Sequence, residues 1–108
     1  MDDLVARLSQ GEHPVEIATR PEKTVAAFKE GIDRGYVHVK FTDTRGGSEL
    51  GVRLDPTATD LGRADFAAGH GSVTVVGSLT LNYVKVRCTA TIQLPTLKGT
   101  GHLTVLEQ

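Results

Sequence analysis

The chain has 108 residues, a formal net charge of −1 and a single cysteine, which suits one domain with one modest core. Near-neutral charge gives no long-range pull on polyanions, so nucleic acid is not an expected partner. No apolar run approaches the roughly 20 residues of a membrane span, so no membrane association is expected either.

Residues 3–10 read as a short helix capped by Asp2 or Asp3, with Leu4, Val5 and Leu8 on one side and Gly11 as its stop. A helix this short does not persist alone in water and must dock on the domain's own sheet or on a second copy of the chain. Val15 and Ile17 point inward from a brief strand over 15–18. Thr19-Arg20-Pro21-Glu22 has capping-box spacing and predicts a helix to about Arg34, stopped by Gly35. Val25, Phe28 and Ile32 form its apolar stripe, and Lys23, Glu30 and Asp33 face water.

Residues 36–43 and 48–54 alternate as a hairpin around Thr44-Arg45-Gly46-Gly47. Two registers keep the apolar faces together. One sets Lys40 against Arg53, a destabilising like-charge pair. The other, preferred here, sets His38 opposite Arg53 and Thr42 opposite Glu49. Residues 55–71 are a long connection, either a short helical turn or a functional loop, with Phe66 as its anchor into the core.

From Val73 to Tyr83 the apolar residues fall mainly on odd positions, and from Val84 to Leu94 on even ones. That parity switch predicts two long strands reversing at Asn82-Tyr83, with Leu81 facing Val84 and Val75 facing Ala90. Tyr83 suits a tight turn poorly, which predicts a looser loop. A third strand follows a loop at 95–98, with Leu94 set against Gly99, Ala90 against Leu103 and Cys88 against Val105. Helices first and antiparallel strands after predict an α+β fold: N-terminal helices packed on one face of a curved, mainly antiparallel sheet of about five or six strands.

The opposite, polar face of that sheet is the candidate site. If the sheet curves around it, Arg53, Arg87, His38 and His102 gather in one concavity. The histidines would then shuttle protons and the arginines would hold a carboxylate or phosphate. His70, between Gly69 and Gly71, is a further candidate ligand contact. A solvated, threonine-rich face is the competing reading. Val76 and Leu106 on this face suggest cover by another subunit.

The four histidines show no HxH or HExxH spacing, and Asp55, Asp60 and Asp65 lack the order of a calcium loop, so neither metal nor cofactor is expected. Cys88 lies on the apolar side and reads as an inert core residue. A lone cysteine and a start without a signal h-region predict a cytoplasmic setting. Frequent Arg, Ala, Gly and Val suggest a GC-rich bacterial source.

Three functional expectations follow. The first is a small binding or accessory protein, homodimeric, taking a small anionic or peptide ligand on the polar face. The second is a cofactor-free acid/base enzyme (a cyclase, isomerase or lyase) with His38 or His102 as acid/base and Arg53 and Arg87 as anion anchors. The third is an adaptor offering the strand 99–106 as an open edge to an extended peptide.

Overall fold

The computed structural model describes residues 3–19 and 22–107. These form helices α1 (Asp3–Leu8) and α2 (Val25–Arg34) and strands β1 (His13–Ala18), β2 (Tyr36–Phe41), β3 (Ser48–Leu54), β4 (Ala64–Asp65), β5 (His70–Leu81), β6 (Val84–Gln93) and β7 (Lys98–Glu107). The parity switch at Asn82 produces the expected β5–β6 ladder: Leu81 faces Val84, Val75 faces Ala90 and Val73 faces Ile92. The reversal is tight, not loose. Asn82 and Tyr83 both adopt positive φ, 48° and 69°, the two-residue geometry whose twist matches the flanking strands.

All neighbouring strands pair antiparallel, in the order β3-β2-β1-β7-β6-β5, and β3 returns to β5 through Arg53↔Ser78 and Leu54↔Gly77. The result is a closed six-stranded barrel, with β4 an extra short strand beside β5. This corrects the α+β expectation. An apolar sheet face can be buried under helices or by curling the sheet onto itself, and period-two alternation is the same in both cases. Here the sheet curls. Val39, Val52, Val73, Val75, Val86, Cys88 and Ile92 are fully buried and fill the interior with small aliphatic volume.

Three glycines permit the closure. A Cβ on Gly99 would come within 1.8 Å of the Thr91 carbonyl oxygen, one on Gly101 within 2.9 Å of the Ala90 Cβ, and one on Gly77 within 2.2 Å of the Arg53 oxygen. Gly99 and Gly101 sit where β7 is flanked by both β1 and β6. Over 98–101 the strand expected to offer a free edge is therefore paired on both sides, and from His102 onward it pairs with β6.

The helices do not cover one face; they contribute at opposite ends of β1. α1 precedes β1, with Val5 and Leu8 fully buried, and Arg7 Nη2 donates to the Asp43 carbonyl at 2.8 Å. Its docking surface is thus its own barrel. α2 follows β1 and sends Phe28 into the core. Its cap is Thr24, whose Oγ1 accepts from Ala27 N at 3.1 Å, in place of the expected Thr19–Glu22 box. Thr19 instead donates to the Glu22 carbonyl; Asp2, Arg20 and Pro21 lie outside the described residues. Gly35 ends the helix at φ 81°, as expected, and its carbonyl accepts from Leu54 N at 2.9 Å.

Two registers differ from expectation by two residues each. β2 and β3 pair Lys40 with Glu49 and His38 with Gly51, leaving residues 42–47 as the loop. Opposite charges meet across the strands, and Asp43 is released to accept from His13. β6 and β7 pair Ala90 with Gly101 and Cys88 with Leu103 around a loop at 94–97, closed by Leu97 N donating to Gln93 O at 2.7 Å. The long connection opens on a single short turn, in which Ala58 N and Thr59 N both donate to the Asp55 carbonyl at 3.2 and 2.9 Å. It runs beside β5, where Asp60 and Thr74 exchange backbone hydrogen bonds and Thr59 Oγ1 bonds both the carbonyl and the N–H of Val76. Phe66 is half-buried against the core, as expected of an anchor.

Candidate functional site

Closure reverses the curvature assumed for the polar face. That face is the outside of the barrel, convex, and its side chains diverge. His38 stands opposite Ala18 at the end of β1, whereas His102 Nδ1 pairs with Glu12 Oε2 at 2.6 Å just before β1 begins. Six positions separate Ala18 from Glu12, about 20 Å along an extended chain. The two histidines do not meet over one small molecule.

Arg53 and Arg87 do share a cross-strand row, Arg53↔Ser78↔Arg87↔Thr104. Arg87 also acts on its own chain. The Asp55 carboxyl is held below its usual range first by the Thr57 hydroxyl and amide, with the Arg87 guanidinium adding attraction. His70 is exposed at the start of β5, opposite Asp65. Its glycine neighbours serve the turn: Gly69 and Gly71 hold positive φ, and a Cβ on Gly71 would lie 2.0 Å from the Arg63 carbonyl oxygen. Val76 is buried within the same chain beside Thr59, while Leu106 is 51 % exposed.

His38 does stand in a concavity, one assembled from parts the sequence reading kept separate. α2 passes close to the start of β2 because residue 31 is glycine; a Cβ there would touch the Tyr36 carbonyl at 3.0 Å and the Val37 side chain at 3.2 Å. Small residues Ala18, Ala27 and Gly31 leave a pocket of about 190 Å³ between helix and strands, floored by Ile17 and Phe28. Glu30, Arg34, Tyr36 and His38 stand at its polar rim. The Tyr36 ring meets the His38 ring edge-on, with centroids 5.1 Å apart, and lies over Gly51, whose missing side chain makes room for the phenol. Glu30 and Arg34 are exposed and form no ion pair among the described residues. The sequence signal for this pocket is the small pair Ala27 and Gly31, one turn apart on the helix, with Glu30 and Arg34 similarly spaced beside it.

Tyr36 also walls a second concavity, a groove of about 420 Å³ at the β3–β5 seam lined by Leu50, Gly51, Arg53, Leu79 and Leu81. The β3–β5 pairing stops at Arg53↔Ser78, so the two strands diverge there. Among the described residues no cluster of three or more His, Cys, Asp or Glu is placed to hold a metal, and no helix is long and apolar enough to cross a membrane. Cys88 is fully enclosed, and burial pushes its thiol up to about 12. The chain matches no protein-family model and no curated protein.

Proposed function

We propose that this is a small binding protein whose ligand is a small anionic metabolite held in the pocket beneath α2. The observation that carries the reading is that Arg34 and His38 line one pocket with a floor of small and apolar residues. A guanidinium fork suits a carboxylate or phosphate, and His38 supplies a further donor. The volume of about 190 Å³ limits the ligand to a few heavy atoms. Glu30 beside Arg34 would favour a ligand that carries an amine as well as its anionic group. The same reading places the protein in the cytoplasm, where its single thiol stays reduced.

Titration of labelled protein with acetate, phosphate and alanine, followed by amide chemical shifts, tests it. Shifts confined to Ala18, Gly31, Tyr36 and His38, abolished by Arg34→Gln, support the pocket. Shifts absent for all three probes, or unchanged in Arg34→Gln, would remove it. A second reading, an acid/base enzyme, is favoured by His38 standing at the rim of this pocket. It predicts that His38→Gln keeps ligand binding while abolishing turnover, and turnover persisting in that variant would exclude it.

A further inference from the structure

At the end of the barrel away from α2, side chains tie α1 and residues 9–12 to the strands. Arg7 Nη2 donates to the Asp43 carbonyl, His13 Nδ1 faces Asp43 Oδ2 at 2.7 Å, and Glu12 Oε2 faces His102 Nδ1 at 2.6 Å. The second ring nitrogen of His13 faces the Gln10 carbonyl at 2.8 Å, just past the C-terminus of α1. The Arg7 carbonyl also favours a charged ring there, as the carbonyls at a helix end, short of donors, generally do. The Phe41 ring meets the imidazole edge-on, with centroids 6.3 Å apart, and the cross-strand neighbour on β7 is the uncharged Gly101. Asp43 depends on this histidine, because its Oδ1 is buried with no hydrogen-bond partner among the described residues. A neutral His13 keeps only one of its two bonds as a donor, and an under-satisfied buried carboxylate is costly. α1 has six residues, too few to persist as a helix once undocked. The chain reaches β1 through Gly11, at φ 69° with open space around its missing side chain.

We propose that α1 is a clasp locked by the proton on His13. With the ring doubly protonated, the helix closes this end of the barrel and keeps Val5 and Leu8 buried. With the proton gone, residues 3–12 swing out as a unit while the strands stay paired. Glu12 and His102 fasten the same segment to β7, and burial of the two aliphatic side chains opposes release, so the open form is a minor one while the lock holds. The Asp43 hydrogen bond raises the His13 pKa above its ordinary 6.5. The clasp is therefore shut on the acid side of that value and loosens as pH rises through the native pKa.

The test is amide hydrogen exchange of the intact chain from below to well above pH 6.5, each rate corrected for the intrinsic pH dependence of exchange. The Ser9 amide, bonded to the Val5 carbonyl at 3.0 Å, reports on α1. Val75, paired with Ala90 in the β5–β6 ladder, reports on opening of the whole barrel. Ser9 protection is expected to lie below that of Val75 throughout and to fall by about tenfold or more as pH rises, the loss of one hydrogen bond to a charged group. The midpoint of that fall should match the titration of the His13 ring. In His13→Gln, Ser9 should be weakly protected at every pH, and in Asp43→Asn the midpoint should move to lower pH. Equal protection of Ser9 and Val75 would mean that α1 opens only with the whole domain, which overturns the proposal. So does a Ser9 profile that is flat, that is unchanged in His13→Gln, or that follows the His102 ring instead.

Discussion

Replacing Gly77 with alanine tests whether β3 closes the barrel against β5. The added Cβ would lie 2.2 Å from the Arg53 carbonyl oxygen, 2.8 Å from its carbon and 2.6 Å from Val52 Cγ1. Two of those three atoms are backbone, so no rotamer change clears them and β3 must retreat by about 1 Å to restore ordinary contact. Overpacking of that kind costs about 1–3 kcal/mol. Alanine also restricts the unfolded chain, an opposing gain of about 0.4–1 kcal/mol. The net loss should therefore be about 1–2 kcal/mol, read as a fall of roughly 4–8 °C in Tm for a domain of this size. Thermal unfolding followed by circular dichroism measures it. The sign decides the matter. If β5 had no neighbour on that side, only the unfolded-state term would remain and the variant would melt at or above the wild type, which would refute the closed seam.

The His13 bridge makes stability pH-dependent. Its Nδ1 faces Asp43 Oδ2 at 2.7 Å and its Nε2 faces the Gln10 carbonyl at 2.8 Å, so both bonds together need the doubly protonated ring. The Asp43 hydrogen bond, against the opposing cost of burial, raises the His13 pKa above its ordinary 6.5. A raised native pKa gives stabilisation that is complete below the unfolded value and fades as pH rises through the native one. The urea-midpoint difference between wild type and His13→Gln should shrink as pH climbs above 6.5; a constant difference would contradict the bridge. Thr59→Val should cost about 1–3 kcal/mol in urea unfolding, because the buried Val76 N–H loses its partner, while Thr59→Ser should be nearly neutral. Cys88, enclosed and shifted up to about 12, should react with a thiol reagent only at the rate of global unfolding.

The β5–β6 register was legible because a slip of one residue would turn Val75, Val86 and Ile92 outward. Slips of two leave every side chain on its original face, so alternation cannot detect them. That is why β6–β7 and β2–β3 were each displaced by two. In the first, the left-handed Leu97, at φ 58°, closes the four-residue loop at 94–97, one position earlier than expected. In the second, Lys40–Glu49 and the engagement of Asp43 decide the register. Barrel closure was not legible at all. Arg53↔Ser78 and Leu54↔Gly77 join segments far apart in sequence, and an open sheet would alternate identically. The pocket was hidden for a related reason. His38 was singled out from its strand, but Glu30 and Arg34 reach it only through the close approach of Gly31 to Tyr36 and Val37, a tertiary contact that no local motif announces.

Backbone nuclear Overhauser contacts between β3 and β5 report most directly on the closed barrel. Cross-peaks joining Arg53–Leu54 to Gly77–Ser78 are expected alongside those of the β1–β7 pairing. A spectrum showing the β1–β7 contacts but none across Arg53–Ser78 would mean an open sheet, and both the convex polar face and the β3–β5 groove would fall with it.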